Sequence, residues 1–139
     1  SSRRRHTRFR NVTGVQTCAL PISKVTRMRY PTCAVPSELV HIISQMGTVA
    51  SEIIRTTAVV ISNRDTDGAL QIEKDDDKMD QLHRELFIKL LEPGWSHGIE
   101  TAIDVTLIGR YYERFSDHAV SVARRLYYLV TGEYANQQS

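Results

Sequence analysis

Two pairs of carboxylates are the residues best suited to chemistry. Asp76 and Asp80 stand four apart in an acid-rich run that also holds Glu73, Asp75 and Asp77, and Glu113 and Asp117 repeat the spacing further along. On a helix that spacing sets like charges side by side, roughly 5–6 Å apart at Cβ, at a cost of a few tenths of a kcal/mol. A compensating cation is therefore expected. The ordinary arrangement is a solvated face in which Arg110 pairs with Glu113, Arg114 with Asp117 and Arg84 with Asp80. The alternative is a carboxylate-only metal site, which suits hard or borderline ions such as Mg²⁺, Ca²⁺, Mn²⁺ or iron. Spacing alone does not choose between them.

The elements that must position these acids are legible as stripes. Leu39, Ile42, Met46, Val49, Ile53, Thr56 and Val60 recur at alternating steps of three and four, the mark of an amphipathic helix. Asn63, Arg64 and Asp65 make a polar turn, and Asp65 can cap a second helix carrying Ala69, Ile72, Met79, Leu82, Leu86 and Leu90 up to Pro93-Gly94. A third helix starting near Ser96 carries Val105, Ile108, Tyr112, Phe115, Ala119, Val122, Leu126 and Leu129, and stops at Gly132. No segment alternates with period two as a strand does. The chain is thus predicted to be all-α. Short connections force neighbouring helices to run antiparallel, giving an up-down-up three-helix bundle over residues 37–132. At about 100° per residue, Asp76 and Asp80 fall about 60–100° from the centre of the second stripe, and Glu113 and Asp117 about 130–170° from that of the third.

Outside the bundle, residues 24–36 read as the tail of an earlier helix followed by a linker holding Pro31 and Pro36, and residues 133–139 as a polar tail. Residues 1–23 have no apolar periodicity and are expected to be unstructured. They resemble translated sequencing-adapter DNA joined to a truncated gene, which would make them a non-native segment. They carry five of the 18 basic residues and no acid, so without them 13 basic face 16 acidic residues. An acidic body argues against nucleic-acid binding. No apolar run approaches the roughly 18 residues of a membrane span, and Cys18 and Cys33 lack zinc or disulfide-framework spacing.

Catalysis finds little support. Glu38-x-x-His41 and Asp80-x-x-His83 imitate the E-x-x-H spacing of di-iron bundles, but that site needs four helices and inward ligands, and His41 faces outward. No nucleophile elbow or phosphate loop is present. His83 and His118 read as packed or capping histidines, Trp95 as a cover for the end of the bundle, and Arg124-Arg125 as a solvated pair or a docking patch for an acidic partner.

The strings DDDKMDQLH, DVTLIGRYYERFSDHAVSVARR and LVTGEY resemble the second half of the PhoU family of phosphate-transport regulatory proteins, in its actinobacterial branch. The likeness runs from about Lys24 to Tyr134. It implies one half of a tandem two-bundle fold, with Asp76, Asp80, Glu113 and Asp117 as ligands of a surface metal site, multinuclear in the family. It implies a cytoplasmic, non-enzymatic adaptor, peripheral to a membrane complex. Its implied partners are a phosphate ABC transporter ATPase and a sensor histidine kinase, and a homodimer is compatible. A related reading is a PhoU-like domain regulating a membrane symporter or ion channel.

Overall fold

The computed structural model describes residues 20–134. Residues 20–28 are helical (α1), followed by α2 (Val40–Asn63), α3 (Thr66–Leu90) and α4 (Gly98–Thr131), with no strand among the described residues. The all-α expectation holds. Residues 20–23 are a correction, because they were expected to lack structure and are helical. Breaker composition misled there: Pro21 sits at the edge of the described helical residues, and Thr26 Oγ1 donates to the Ile22 carbonyl at 3.0 Å, one turn back. The rest of the expected unstructured segment, residues 1–19, lies outside the described residues, as do residues 135–139.

The α2–α3 turn forms for a local reason. The Asp65 carboxylate accepts from the backbone N–H groups of Asp67 and Gly68, both at 3.1 Å, satisfying two donors that helix geometry leaves without partners. Gly68 follows from the same turn: a Cβ there would lie 2.6 Å from Val60 Cγ2 and 2.7 Å from Asp65 Oδ2. The longer α3–α4 connection is held by Trp95, whose Nε1 donates to the Gly98 carbonyl at 2.9 Å while its ring packs on the core. At the far end Gly132 caps α4 with φ of 76° and donates its N–H to the Tyr128 carbonyl.

Burial divides the core into two clusters. One holds Ile53, Val60, Ala69, Ile72, Ala119, Val120, Ala123 and Tyr127, the other Leu39, Ile42, Met46, Ala50, Met79, Leu86 and Val105. Each draws on all three long helices. The α4 stripe differs from its prediction. Ser116, Val120, Ala123 and Tyr127 are buried, Phe115, Val122 and Leu126 only partly, and Leu129 is 78% exposed. A strict three-four alternation repeats every 3.5 residues, whereas an α-helix turns every 3.6, so the stripe drifts by about 20° per heptad. Averaged over α4, the buried residues centre about 70° from the predicted stripe, and the drift adds to the difference towards Leu129. The turn that follows α1 is tied to α4 by Arg29, whose Nε donates to Asp104 Oδ2 at 2.5 Å and whose Nη1 donates to Glu100 Oε2 at 3.1 Å.

Candidate functional site

That rotation decides where the α4 acids point. Instead of lying on the far side of α4, Glu113 and Asp117 come to about 70–110° from the centre of the core face, on the margin that meets α3. Asp76 and Asp80 occupy the matching margin of α3. Several side chains fix the pairing of the two helices. Ser116, fully buried on α4, donates to Asp76 Oδ1 at 2.5 Å. His83 Nδ1 lies 3.7 Å from Glu113 Oε2, and Arg124 Nε donates to Glu73 Oε1 at 2.6 Å further along. Helices α3 and α4 approach closely at Gly109, where a Cβ would stand 2.6 Å from Leu86 Cδ2.

The four acids share one electrostatic neighbourhood. Burial pushes the Asp76 carboxyl above its usual range, the hydrogen bond from Ser116 opposes this, and Asp80, Asp117 and Asp77 push it up further. Burial also raises the Asp117 carboxyl, then Glu113 raises it, Arg110 opposes, Asp80 raises it again and His118 opposes. Glu113 is neutralised by Arg110, one of the three pairs expected from spacing. The other two, Arg114 with Asp117 and Arg84 with Asp80, are not ion pairs here, and neither Asp80 nor Asp117 has a hydrogen-bond or ion-pair partner among the described residues.

A metal tests differently by chemistry and by position. All four donors are hard carboxylate oxygens, and a cation would offset the burial and the repulsion that raise Asp76 and Asp117. Among the described residues, however, no three His, Cys, Asp or Glu side chains converge closely enough to hold an ion as they stand. Binding would require these carboxylates to converge further.

Ser116 was not singled out by sequence, and Asp75 and His83 take places that spacing alone did not fix. Ser116 carries no charge and was passed over, although its place in GRYYERFSDHA puts it one turn from Tyr112 on the true core face. Asp75 is 9% exposed and sits between Ile72 and Met79 in the α3 stripe, satisfied by Lys78 Nζ at 2.9 Å and Gln71 Nε2 at 3.2 Å. His83 packs edge-on against Phe87, as a packed histidine was expected to, and its Nε2 is buried without a hydrogen-bond partner. His41 is exposed on α2, so the di-iron arrangement has no inward ligand there.

The PhoU domain matches residues 43–126, a span that contains all four acids. The chain belongs to the PhoU domain family. It is 45% identical over 116 residues to the phosphate-specific transport system accessory protein PhoU homolog 2 of Mycobacterium tuberculosis, covering 84% of this chain and 54% of that protein. PhoU homolog 1 of Mycobacterium leprae is also 45% identical over 116 residues, covering 84% of this chain and 52% of the relative. The PhoU homolog of Zymomonas mobilis is 32% identical over 96 residues, 68% of this chain and 40% of its own length. The chain thus spans about half the length of the curated relatives it matches. No solved structure matches it. Among the described residues no helix is long and apolar enough to cross a membrane.

The raised carboxyls carry a pH prediction. Asp76 and Asp117 hold their protons more tightly when folded than when unfolded, where an aspartate titrates near ~3.9. The folded state then binds more protons, so their contribution is most favourable below the unfolded pKa and declines as pH rises through the folded one. Asp76→Asn, whose side-chain carbonyl still accepts from Ser116, is expected to raise the urea midpoint at pH 7 and to leave it unchanged near pH 3. A lower midpoint at pH 7 would contradict the cost that burial and then acidic neighbours place on the Asp76 charge.

Proposed function

We propose that this chain is the carboxy-terminal bundle of a phosphate-transport accessory protein whose α3–α4 face binds divalent or iron cations. The observation that carries the reading is the PhoU domain match over residues 43–126, which spans both acidic pairs, together with relatives named as accessory proteins of phosphate-specific transport systems. Asp76, Asp80, Glu113 and Asp117 are the proposed ligands. The electrostatics supports this choice, because burial and then acidic neighbours raise two of the four carboxyls, and Asp80 and Asp117 have no hydrogen-bond or ion-pair partner among the described residues.

In the proposed role the protein works in the cytoplasm against a membrane complex. It links a phosphate ABC transporter ATPase to a sensor histidine kinase and represses phosphate-starvation genes when phosphate is plentiful. The contribution is binding, not catalysis: a cation would draw α3 and α4 together and stiffen the face between them. Since relatives are about twice as long, the test is a chimera in which residues 24–134 replace the matching half of the Mycobacterium tuberculosis relative. In cells lacking their own accessory protein, the chimera is expected to restore repression of a phosphate-starvation reporter at high phosphate. A folded chimera that leaves the reporter on would sink the proposed role.

A further inference from the structure

At the carboxy-terminal end of α4, a groove of about 540 Å³ is lined by Ser121, Arg124, Arg125, Tyr128, Leu129 and Tyr134. It begins at Ser121, one helical turn beyond Asp117, and does not depend on the four acids binding a cation. Its wall is apolar and preformed. Tyr128 and Tyr134 stack with ring centroids 4.7 Å apart and planes 24° apart, and Leu129 stands 78% exposed beside them. Leu129 continues the heptad pattern of α4, yet the drift of that pattern carries it off the core.

The charge in the groove has one sign. Among the described residues its lining holds two guanidiniums and no carboxylate. Arg124 is fixed by its bond to Glu73 on α3, which spends one of its donors and orients the rest. Arg125 is exposed and has no hydrogen-bond or ion-pair partner among the described residues. A guanidinium held beside stacked aromatic rings suits a carboxylate next to an apolar side chain, since the planar fork donates to two oxygens while the rings cover the neighbouring residue.

Size selects the shape of the occupant. From Ser121 to Leu129 the helix rises about 12 Å, the length of roughly four residues of extended chain. The groove is too short for the several turns that an amphipathic helix needs to bind through one face. We propose that it receives a short extended segment of a partner protein, bearing one large apolar anchor flanked by Asp or Glu. The anchor rests on Leu129 and the tyrosine stack, and the flanking acids meet Arg125 and the free edge of Arg124.

The test uses the full chain and labelled hexapeptides drawn from Glu, Asp, Leu and Phe, read by fluorescence anisotropy. At least one is expected to bind, with its Lys-substituted counterpart weaker by about tenfold or more and salt weakening the complex. Arg125→Glu and Leu129→Ser should each cost a similar factor while leaving the far-ultraviolet circular dichroism unchanged, because both residues are exposed. Three results would overturn the proposal: no hexapeptide binding; binding to anionic phosphatidylglycerol vesicles but not to peptide; or a dimer in analytical ultracentrifugation that Leu129→Ser dissolves.

Discussion

Met79→Ala is expected to cost about 2–5 kcal/mol of unfolding free energy, read as a lower urea midpoint. Met79 is 0% exposed and packs in the cluster of Leu39, Ile42, Met46, Ala50, Leu86 and Val105, so truncation opens a cavity walled by all three long helices. Such a wall cannot collapse by moving one element. For a domain whose whole stability is about 5–15 kcal/mol, the loss brings the bundle close to unfolding. The same change at Leu129, 78% exposed, is expected to stay within about 0.5 kcal/mol although both residues belong to predicted stripes. Equal losses at the two sites would contradict the rotated α4 face and, with it, the approach of the α4 acids to α3.

The second large effect should come from cations. If the α3–α4 face binds a divalent ion only when folded, an ion at about a hundredfold its dissociation constant adds about 2.7 kcal/mol to the unfolding free energy. The expected readout is a Mn²⁺-dependent rise in the thermal midpoint that Asp80→Asn with Asp117→Asn removes. Acid should erase it as well. Protons compete for the raised Asp76 and Asp117 carboxyls, so the ion's contribution shrinks as pH falls through their folded range. A midpoint shift that survives the double substitution would place the ion elsewhere.

Much of the bundle was legible because apolar spacing and capping are local. The α3 start was readable from Asp65 alone, and the polar turn at Asn63, Arg64 and Asp65 separates α2 from α3 as expected. The rotation of α4 was not legible from the stripe. Tyr112, Phe115, Val122 and Leu126 are as apolar as the residues that are actually buried, and only packing against α2 and α3 decides between overlapping faces. Small residues hid part of the answer: Gly109, Ser116 and Ala123, all outside the predicted stripe, lie on the true face, and α3 and α4 approach closely at Gly109. Residues chosen for close approach contribute little to a hydrophobicity pattern.

The acids show the same limit from the other side. Their spacing exposed both pairs, and the resemblance to the PhoU family singled them out as ligands. What spacing could not show was their division of labour. Asp75, in the middle of the acid run, is a buried and satisfied member of the stripe, whereas Asp76 beside it faces α4 and takes a hydrogen bond from Ser116. Neighbouring residues on a helix differ by about 100° in direction, enough to separate a structural aspartate from a candidate ligand.

The most direct test of a shared cation-binding face is calorimetric titration of Mn²⁺ into the chain and into a variant carrying Asp76→Asn, Asp80→Asn, Glu113→Gln and Asp117→Asn. Saturable heat in the unaltered chain, absent from an equally helical variant, is the predicted result. No heat from the unaltered chain, or the same isotherm from both proteins, would contradict it.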